Sequence, residues 1–384
     1  VSLLPQGGPA RQALSTAKRI VVKAGSNVVI RPDGAPALSR LFALMETLAS
    51  LRKEGKEVLL VSSGAVGLGV QALGLKKKPS HLDLKQACAA VGQGRLMALY
   101  QEGFSRLGIE AAQVLLTEED FSNRRRYLNL RATLDRILAL GAIPVINEND
   151  TVSTQELESD DPQRPWEKSV FGDNDKLSAL VASKMDADLL VILSDVDGLF
   201  TANPQVDPGA RLVPEVLAIT AELEASASGT SSRGRGGMAT KLAAARIATS
   251  SGAWTVVASG TRDGVLQRVM AGEIEGTLFH PGPRLRGRQR WVAFASNPAG
   301  RIQVNDGARD ALLAGKASLL SAGVLRLQGD FQADDVVAIA DAQGHEFARG
   351  VAQMDRLSAE ALVGAPGKPR VIVHRDTLAL GERD

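Results

Sequence analysis

The sequence is poor in the residues that build covalent or metal-bound frameworks. It holds one cysteine, Cys88, in 384 residues. An intramolecular disulfide framework and a cysteine metal cluster are therefore both excluded. Cys88 stands in Ala87-Cys88-Ala89-Ala90-Val91, the surroundings of a small buried hydrophobe. The four histidines, His81, His280, His345 and His374, are scattered without metal-ligand spacing. Neither sign of charge dominates, with 45 basic and 43 acidic residues, so bulk electrostatics point to neither nucleic acid nor a membrane surface. No apolar run approaches membrane-spanning length. Residues 1–18 contain Pro5, Gly7, Gly8 and Pro9 but no signal-peptide core, and are expected to form a loose tail on a cytoplasmic protein.

The length favours two domains over one. The chain is organised around Ala142 to Lys184. There a buried strand (Ile143, Val145, Ile146) ends in Asn147-Glu148-Asn149-Asp150. After a polar excursion, Gly172-Asp173-Asn174-Asp175-Lys176 opens a helical pattern carrying Leu177, Leu180, Val181 and Met185 on one face. An N-cap at Asp173 alone would be ordinary. Two amide-and-acid clusters, at a strand's carboxyl end and a helix's amino end, suit a small polar ligand in an open α/β sheet.

Other strand ends carry similar chemistry. Arg19-Ile20-Val21-Val22-Lys23 leads into Ala24-Gly25-Ser26-Asn27, where a tight turn brings backbone N–H groups toward an anion. Val58 to Val61 leads into Ser62-Ser63-Gly64-Ala65, which reads equally as helix capping or as an oxyanion pocket. A helix from Asp83 to Leu107 is expected to be interrupted at Gly92-Gln93-Gly94. Asn123-Arg124-Arg125-Arg126-Tyr127 opens a further helix, a solvated face or an oligomer contact. Asp188 to Leu193 runs into Ser194-Asp195, whose acid could orient lysines or hold a metal. The Ser- and Gly-rich stretch from Ser226 ends in Gly234-Arg235-Gly236-Gly237-Met238-Ala239-Thr240-Lys241. It reads as a flexible linker or as a phosphate site at a helix start, and it lacks the Walker spacing.

Alternating strands and helices from Arg19 to His280 predict an α/β domain with an open, mainly parallel sheet covered by helices on both faces. The Pro, Gly and Arg run at 281–290 marks a linker. Beyond it, short apolar runs at Trp291 to Phe294, Ile302 to Val304, Val324 to Leu327, Val336 to Ile339 and Val371 to Val373 predict a small, mostly β domain over 291–379.

These motifs resemble the amino-acid kinase family over Arg19 to about Asp376. The most specific parts are Asn147 to Asp150 with Gly172 to Asp175, Ser63-Gly64-Ala65, and Gly236 to Lys241. The C-terminal domain, with Gly300 to Ala308, Gly329-Asp330-Phe331 and Val373 to Asp376, resembles a PUA domain. Among family members, that combination implies transfer of the ATP γ-phosphoryl group to the side-chain carboxylate of L-glutamate. The product is L-glutamyl 5-phosphate, in the first step of proline biosynthesis. The resemblance assigns catalysis to Lys23 and Lys241, with Asp195 holding the lysines in place. It assigns ATP binding to Lys23, Gly25, Ser194, Asp195, Arg235, Gly236, Gly237, Met238, Ala239, Thr240 and Lys241. Mg²⁺ would be bound mainly through the nucleotide, without dedicated protein ligands. Glutamate's ammonium would find acceptors in Asp150 and the acids near Asn174. Its carboxylates would find donors in Ser63, the Gly64 and Ala65 amides and the Asn174 side chain. Proline would be a feedback inhibitor, and the chain a homodimer or homotetramer.

The sequence departs from the family pattern at a long loop around Glu156 to Trp166, expected to rim the acceptor site and affect inhibition, at Ala24, Ser26 and Asn27, and at Arg235. A kinase of the same family acting on another carboxylate substrate is the nearer alternative, and an RNA-binding role through the PUA-like domain is the alternative from another class. From Arg284 onward there are 14 basic and 12 acidic residues, and Arg284, Arg286, Arg288 and Arg290 supply the whole excess. No basic face of the size expected for RNA follows from that composition.

Overall fold

In the computed structural model the described residues are 8–77, 79–117, 119–152, 174–228, 237–282, 292, 298–315, 317–366 and 368–380. They group into two compact units: 1–117 with 131–284, and 118–130 with 285–384. The break at Arg284 falls inside the expected linker. Residues 118–130 group with the second unit.

The first unit is built on an eight-stranded sheet. Its strands are β1 (Arg19–Ala24), β2 (Glu57–Ser62), β3 (Ala111–Leu116), β4 (Ile143–Glu148), β5 (Leu189–Ser194), β6 (Glu215–Val216), β7 (Trp254–Ser259) and β8 (Thr277–Phe279). They lie in the order β3-β4-β2-β1-β5-β7-β8-β6. All pairings are parallel except β7 with β8. The central strands β1, β2, β4 and β5 are near-continuous apolar runs, as required of strands covered on both faces. On one face Ile20, Val22, Val58 and Leu60 meet Leu41, Met45 and Leu48 of the helix Leu38–Lys53, and Leu96, Tyr100 and Phe104 of the helix Leu82–Arg106. The helices Asn174–Lys184 and Met238–Thr249 contact one another, and the first also touches β1, β2, β4 and β5.

Two expectations are corrected. The helix Leu82–Arg106 runs unbroken through Gly92-Gln93-Gly94. Gly92 is there for packing, because a Cβ at that position would lie 1.7 Å from the Ala65 carbonyl oxygen. The segment 1–18 is not loose where it is described. Pro9–Gln12 and Ala13–Thr16 are helical, and Arg11 is fully buried. Residues 1–7 lie outside the described residues.

The second unit carries a six-stranded sheet of β9 (Gly300–Val304), β10 (Leu319–Leu320), β11 (Val324–Gly329), β12 (Val336–Ala340), β13 (Glu346–Ala352) and β14 (Val371–Leu380). Their order is β10-β14-β13-β12-β9-β11, antiparallel except for β9 with β12. Its core gathers Ile302, Val304, Phe331, Val337, Ile339, Ile372 and Val373. Tyr127 packs against Val292, Val336 and Val351. Within the run expected as a strand at Trp291 to Phe294, only Val292 is described, and it is helical.

Candidate active site

Parallel strands deliver their carboxyl ends to one edge, where the polar side chains collect. Register aligns Ala24 at the end of β1 with Ser62 of β2 and with Leu193 of β5. Val61 of β2 aligns with Ile146 of β4, which sets Ser62 and Ser63 beside Asn147. The two halves of the site then meet at the start of the helix Asn174–Lys184.

One half is cationic. Lys23, on β1, and Lys241, in the helix Met238–Thr249, are both almost fully buried. Lys23 Nζ lies 2.6 Å from Asp175 Oδ1, and Lys241 Nζ lies 3.1 Å from Asp175 Oδ2. Thr240 Oγ1 donates to the same Oδ2 at 3.2 Å. Burial alone pushes the Asp175 carboxyl up, but Lys23 and Lys241 together hold it below its ordinary value. Asp195, expected to hold the lysines, is joined to Lys241 by charge at longer range. The carboxylate joining the lysines is Asp175. Asp195 accepts instead from Asn27 Nδ2 at 2.6 Å and from Ser194 Oγ at 3.1 Å. Burial pushes the Asp195 carboxyl up, and the Asn27 and Ser194 hydrogen bonds, with backbone and Lys241 contributions, bring it below its usual value.

Around these groups the backbone offers room for an anion. Gly237 starts the helix Met238–Thr249 and supplies no side-chain cap, so Met238, Ala239 and Thr240 form an uncapped first turn. Gly25 follows β1 and donates to the Leu193 carbonyl at 3.0 Å. A Cβ on Gly25 would sit 3.1 Å from that oxygen and 3.4 Å from Lys23 Nζ. Two ammonium groups, a hydroxyl and a helix amino terminus fit a polyphosphate. Arg235 and Gly236 lie outside the described residues, as do Gly172, Asp173 and the loop around Glu156 to Trp166.

The other half is neutral and amide-rich. Asn174 Nδ2 donates to the Ser62 carbonyl at 2.8 Å, to Ser63 Oγ at 2.8 Å and to Asn147 Oδ1 at 3.0 Å. Asn147 Nδ2 donates in turn to Gln93 Oε1 at 2.8 Å. Gly64 adopts φ +107°, a left-handed conformation open to glycine, and turns the chain from β2 into the helix Ala65–Ala72. Asp150 follows β4 and is half-buried. Behind this layer the Tyr100 hydroxyl lies 2.9 Å from Ser62 Oγ. Burial pushes the Tyr100 phenol up to about 12, against the opposing Ser62 hydrogen bond.

The site thus brings together Lys23, Gly25, Ser63, Gly64, Ala65, Asn174, Ser194, Asp195 and Gly237 to Lys241. Sequence reasoning gave Asp175 only as one of the acids near Asn174 that could accept from the ammonium, whereas it pairs with the two lysines, and it gave Asn147, Gln93 and Tyr100 no role in the site. Asp175 and Asn147 stood inside the quoted motifs; Gln93 and Tyr100 carried no local signal.

An open, mainly parallel sheet with two lysines and a helix amino terminus gathered at its carboxyl edge defines a domain suited to a phosphorylated, anionic ligand. The amino acid kinase family model matches residues 18–259, and a PUA domain model matches 300–368. The chain is 45% identical over 382 residues to a glutamate 5-kinase of a Geobacter species, covering 96% of this chain and 99% of that protein. It is 46% identical over 374 residues to a glutamate 5-kinase of Gloeobacter violaceus, covering 94% and 98%. A solved UMP kinase of Bacillus anthracis covers 70% of this chain and 98% of its own, at 16% identity and a TM-score of 0.44, a likeness that carries no functional weight. The chain belongs to the amino acid kinase family and, within it, to the glutamate 5-kinases.

Proposed function

We propose that this chain transfers the γ-phosphoryl group of ATP to the side-chain carboxylate of L-glutamate. The product is L-glutamyl 5-phosphate, and the reaction opens proline biosynthesis. The observation that carries the reading is the helix start at Asn174-Asp175. Asp175 holds Lys23 and Lys241, while Asn174 joins Ser63 and Asn147. One rigid element therefore sets the distance between a cationic half and an amide-rich half.

Both reactants are anions, so their approach requires screening. Lys23 and Lys241 take up charge on the transferring phosphoryl group, in a site where water is excluded and electrostatic effects are large. A glutamate carboxylate is already ionised at neutral pH. No general base is needed, and positioning and electrostatics suffice. Further neutralisation is what Mg²⁺ supplies when bound, mainly through the nucleotide's own oxygens. The nucleotide lies along Gly25, Ser194, Asp195 and the segment Arg235 to Lys241. Ser63 and the Gly64 and Ala65 amides receive the substrate's carboxylates, and Asp150 its ammonium. On the same reading proline is a feedback inhibitor on the acceptor side, and the protein works as a homodimer or homotetramer.

The test is incubation with ATP, Mg²⁺ and each of glutamate, aspartate, acetylglutamate and UMP, with hydroxylamine to trap acyl phosphates. Glutamate is expected to give the hydroxamate. Turnover of another acceptor with glutamate inert would overturn the reading.

A further inference from the structure

The polarity of the Asn174 amide follows from its neighbours. A backbone carbonyl only accepts, so the Asn174 atom 2.8 Å from the Ser62 oxygen is the donor Nδ2. That nitrogen has two hydrogens and three acceptors around it: the Ser62 carbonyl, Ser63 Oγ and Asn147 Oδ1. Its donor capacity is spent inside the protein. Asn174 Oδ1 is the atom left over, and it accepts no side-chain hydrogen bond among the described residues. The expectation that Asn174 donates to a substrate carboxylate is therefore reversed.

The Ser62 carbonyl sets this polarity, and Asn147 supports it by facing Asn174 with its oxygen. An amide can turn over and exchange its two ends at little steric cost, so something must fix it. Gln93 does so by accepting from Asn147 Nδ2 at 2.8 Å. Gln93 can reach Asn147 because its helix passes close to the Ser63-Gly64-Ala65 turn. The contact is so close that only glycine fits at position 92 (1.7 Å from a Cβ to the Ala65 carbonyl oxygen). The relay runs from helix to β4 to the second helix, and each link is donor to acceptor.

Resting on the glutamate-kinase reading above, we infer that Gln93 is a positioning residue for substrate selection. Through Asn147 it braces the Asn174 side chain, whose Oδ1 is presented as an acceptor for the substrate's α-ammonium group. Ser63 completes the division of labour. Its Oγ accepts from Asn174, which leaves its own hydrogen for a substrate carboxylate. Asp150 and Asn174 thereby serve the ammonium, and Ser63 with the Gly64 turn serves a carboxylate. The site selects an α-amino diacid over the bare diacid.

The test compares Gln93→Leu, which removes the acceptor at similar volume, with Gln93→Glu, which keeps an acceptor oxygen. In full-length enzyme, Gln93→Leu is expected to raise the glutamate KM about ten-fold, with the ATP KM and kcat within about three-fold. Gln93→Glu is expected to stay within about two-fold of wild type. The inhibition constant of glutarate, which lacks the ammonium, is expected to change less than about two-fold in Gln93→Leu. A Gln93→Leu enzyme with unchanged glutamate KM overturns the inference. So does an equal loss for glutamate and glutarate, which would mean a packing defect. Gln93→Met, also without an acceptor, repeats the test should Gln93→Leu not fold, with thermal melts confirming the native state. Wild-type enzyme inert toward glutamate would instead refute the functional reading, so the two failures are distinguishable.

Discussion

Asn174 and Asp175 are consecutive residues whose side chains serve different halves of one site. Asn174 Nδ2 reaches Ser63 Oγ at 2.8 Å, and Asp175 Oδ1 reaches Lys23 Nζ at 2.6 Å. A helix start divides successive side chains between neighbours in this way because each residue advances about 100° around the axis. Moving this one turn would disturb acceptor and donor sides together.

Asp175 couples the site to pH. Burial pushes its carboxyl up, and the lysines bring it below its ordinary value. A carboxyl depressed in the folded state contributes stability above its unfolded pKa, about 4. That contribution is lost as pH falls through the folded value. Asp175→Ala should cost about 3–5 kcal/mol at neutral pH, because it removes the carboxylate common to two buried lysines. The variant should also show a flatter loss of stability below pH of about 4, measured by denaturant unfolding across pH.

Lys241→Ala and Asp150→Ala should separate the two halves kinetically. Lys241→Ala should lower kcat about 10²–10³-fold with the glutamate KM nearly unchanged, because in the proposed reaction the lysine acts on the transferring group. Asp150→Ala should raise the glutamate KM about ten-fold or more and the ATP KM little. Steady-state kinetics with each substrate varied in turn reads both. An unchanged kcat in the first variant, or equal KM effects in the second, would remove that residue from its role.

Arg11 anchors the amino-terminal segment. Its Nη1 donates to the carbonyls of Glu273 and Glu275 at 3.1 and 2.7 Å, and its Nη2 to those of Pro214 and Gly276 at 2.7 and 3.0 Å. Burial lowers the pKa of Arg11 and nearby Glu215 and Glu275 oppose the shift. Arg11→Ala leaves four carbonyls without that donor and should cost about 4 kcal/mol, a fall in Tm of about 10 °C. Activity per folded molecule below the transition should be unchanged, since Arg11 touches no residue of the site. Calorimetry with an activity assay checks both.

Tyr100 gives an alkaline signature. Its phenol, raised to about 12 by burial against the Ser62 hydrogen bond, stays protonated in the fold while the unfolded chain ionises near 10. Between those values the unfolded state binds fewer protons, so stability falls as pH rises, by up to about 2.7 kcal/mol. Tyr100→Phe should lose about 1 kcal/mol at neutral pH and shed that alkaline slope. Parallel unfolding curves from about pH 9 to 11.5 for the two proteins would reveal it. Identical slopes would mean that Tyr100 ionises equally in both states.

Much of the fold was legible locally. Apolar runs at Ile20 to Val22, Val58 to Val61 and Leu189 to Leu193 can only be strands covered on both faces, and each is followed by polar residues at the observed sheet edge. Glycine was read less well. At Gly92 the local cost of glycine in a helix suggested a break. The helix persists because the Ala65 carbonyl occupies the space a Cβ would need. Arg11 was read as part of a loose tail because its carbonyl partners lie more than two hundred residues away.

By itself the sequence determined the α/β plan and the second β-rich domain, and it put forward the lysines, serine, glycines and asparagine as candidates for the site. Periodicity, strand-end chemistry and motif are properties of neighbouring residues, so they can be read along the chain. Only the tertiary structure decided which acid holds the lysines. Asp175 and Asp195 both stand at element ends, and nothing local separates them. Burial between β1 and the helix Met238–Thr249 gives Asp175 direct contact with both ammonium groups, while Asp195 bonds Asn27 and Ser194 and meets Lys241 only through charge. Amide polarity was settled the same way: Asn174 and Asn147 can each face in either sense until the Ser62 carbonyl leaves one arrangement in which every contact pairs a donor with an acceptor, the Gln93 contact included.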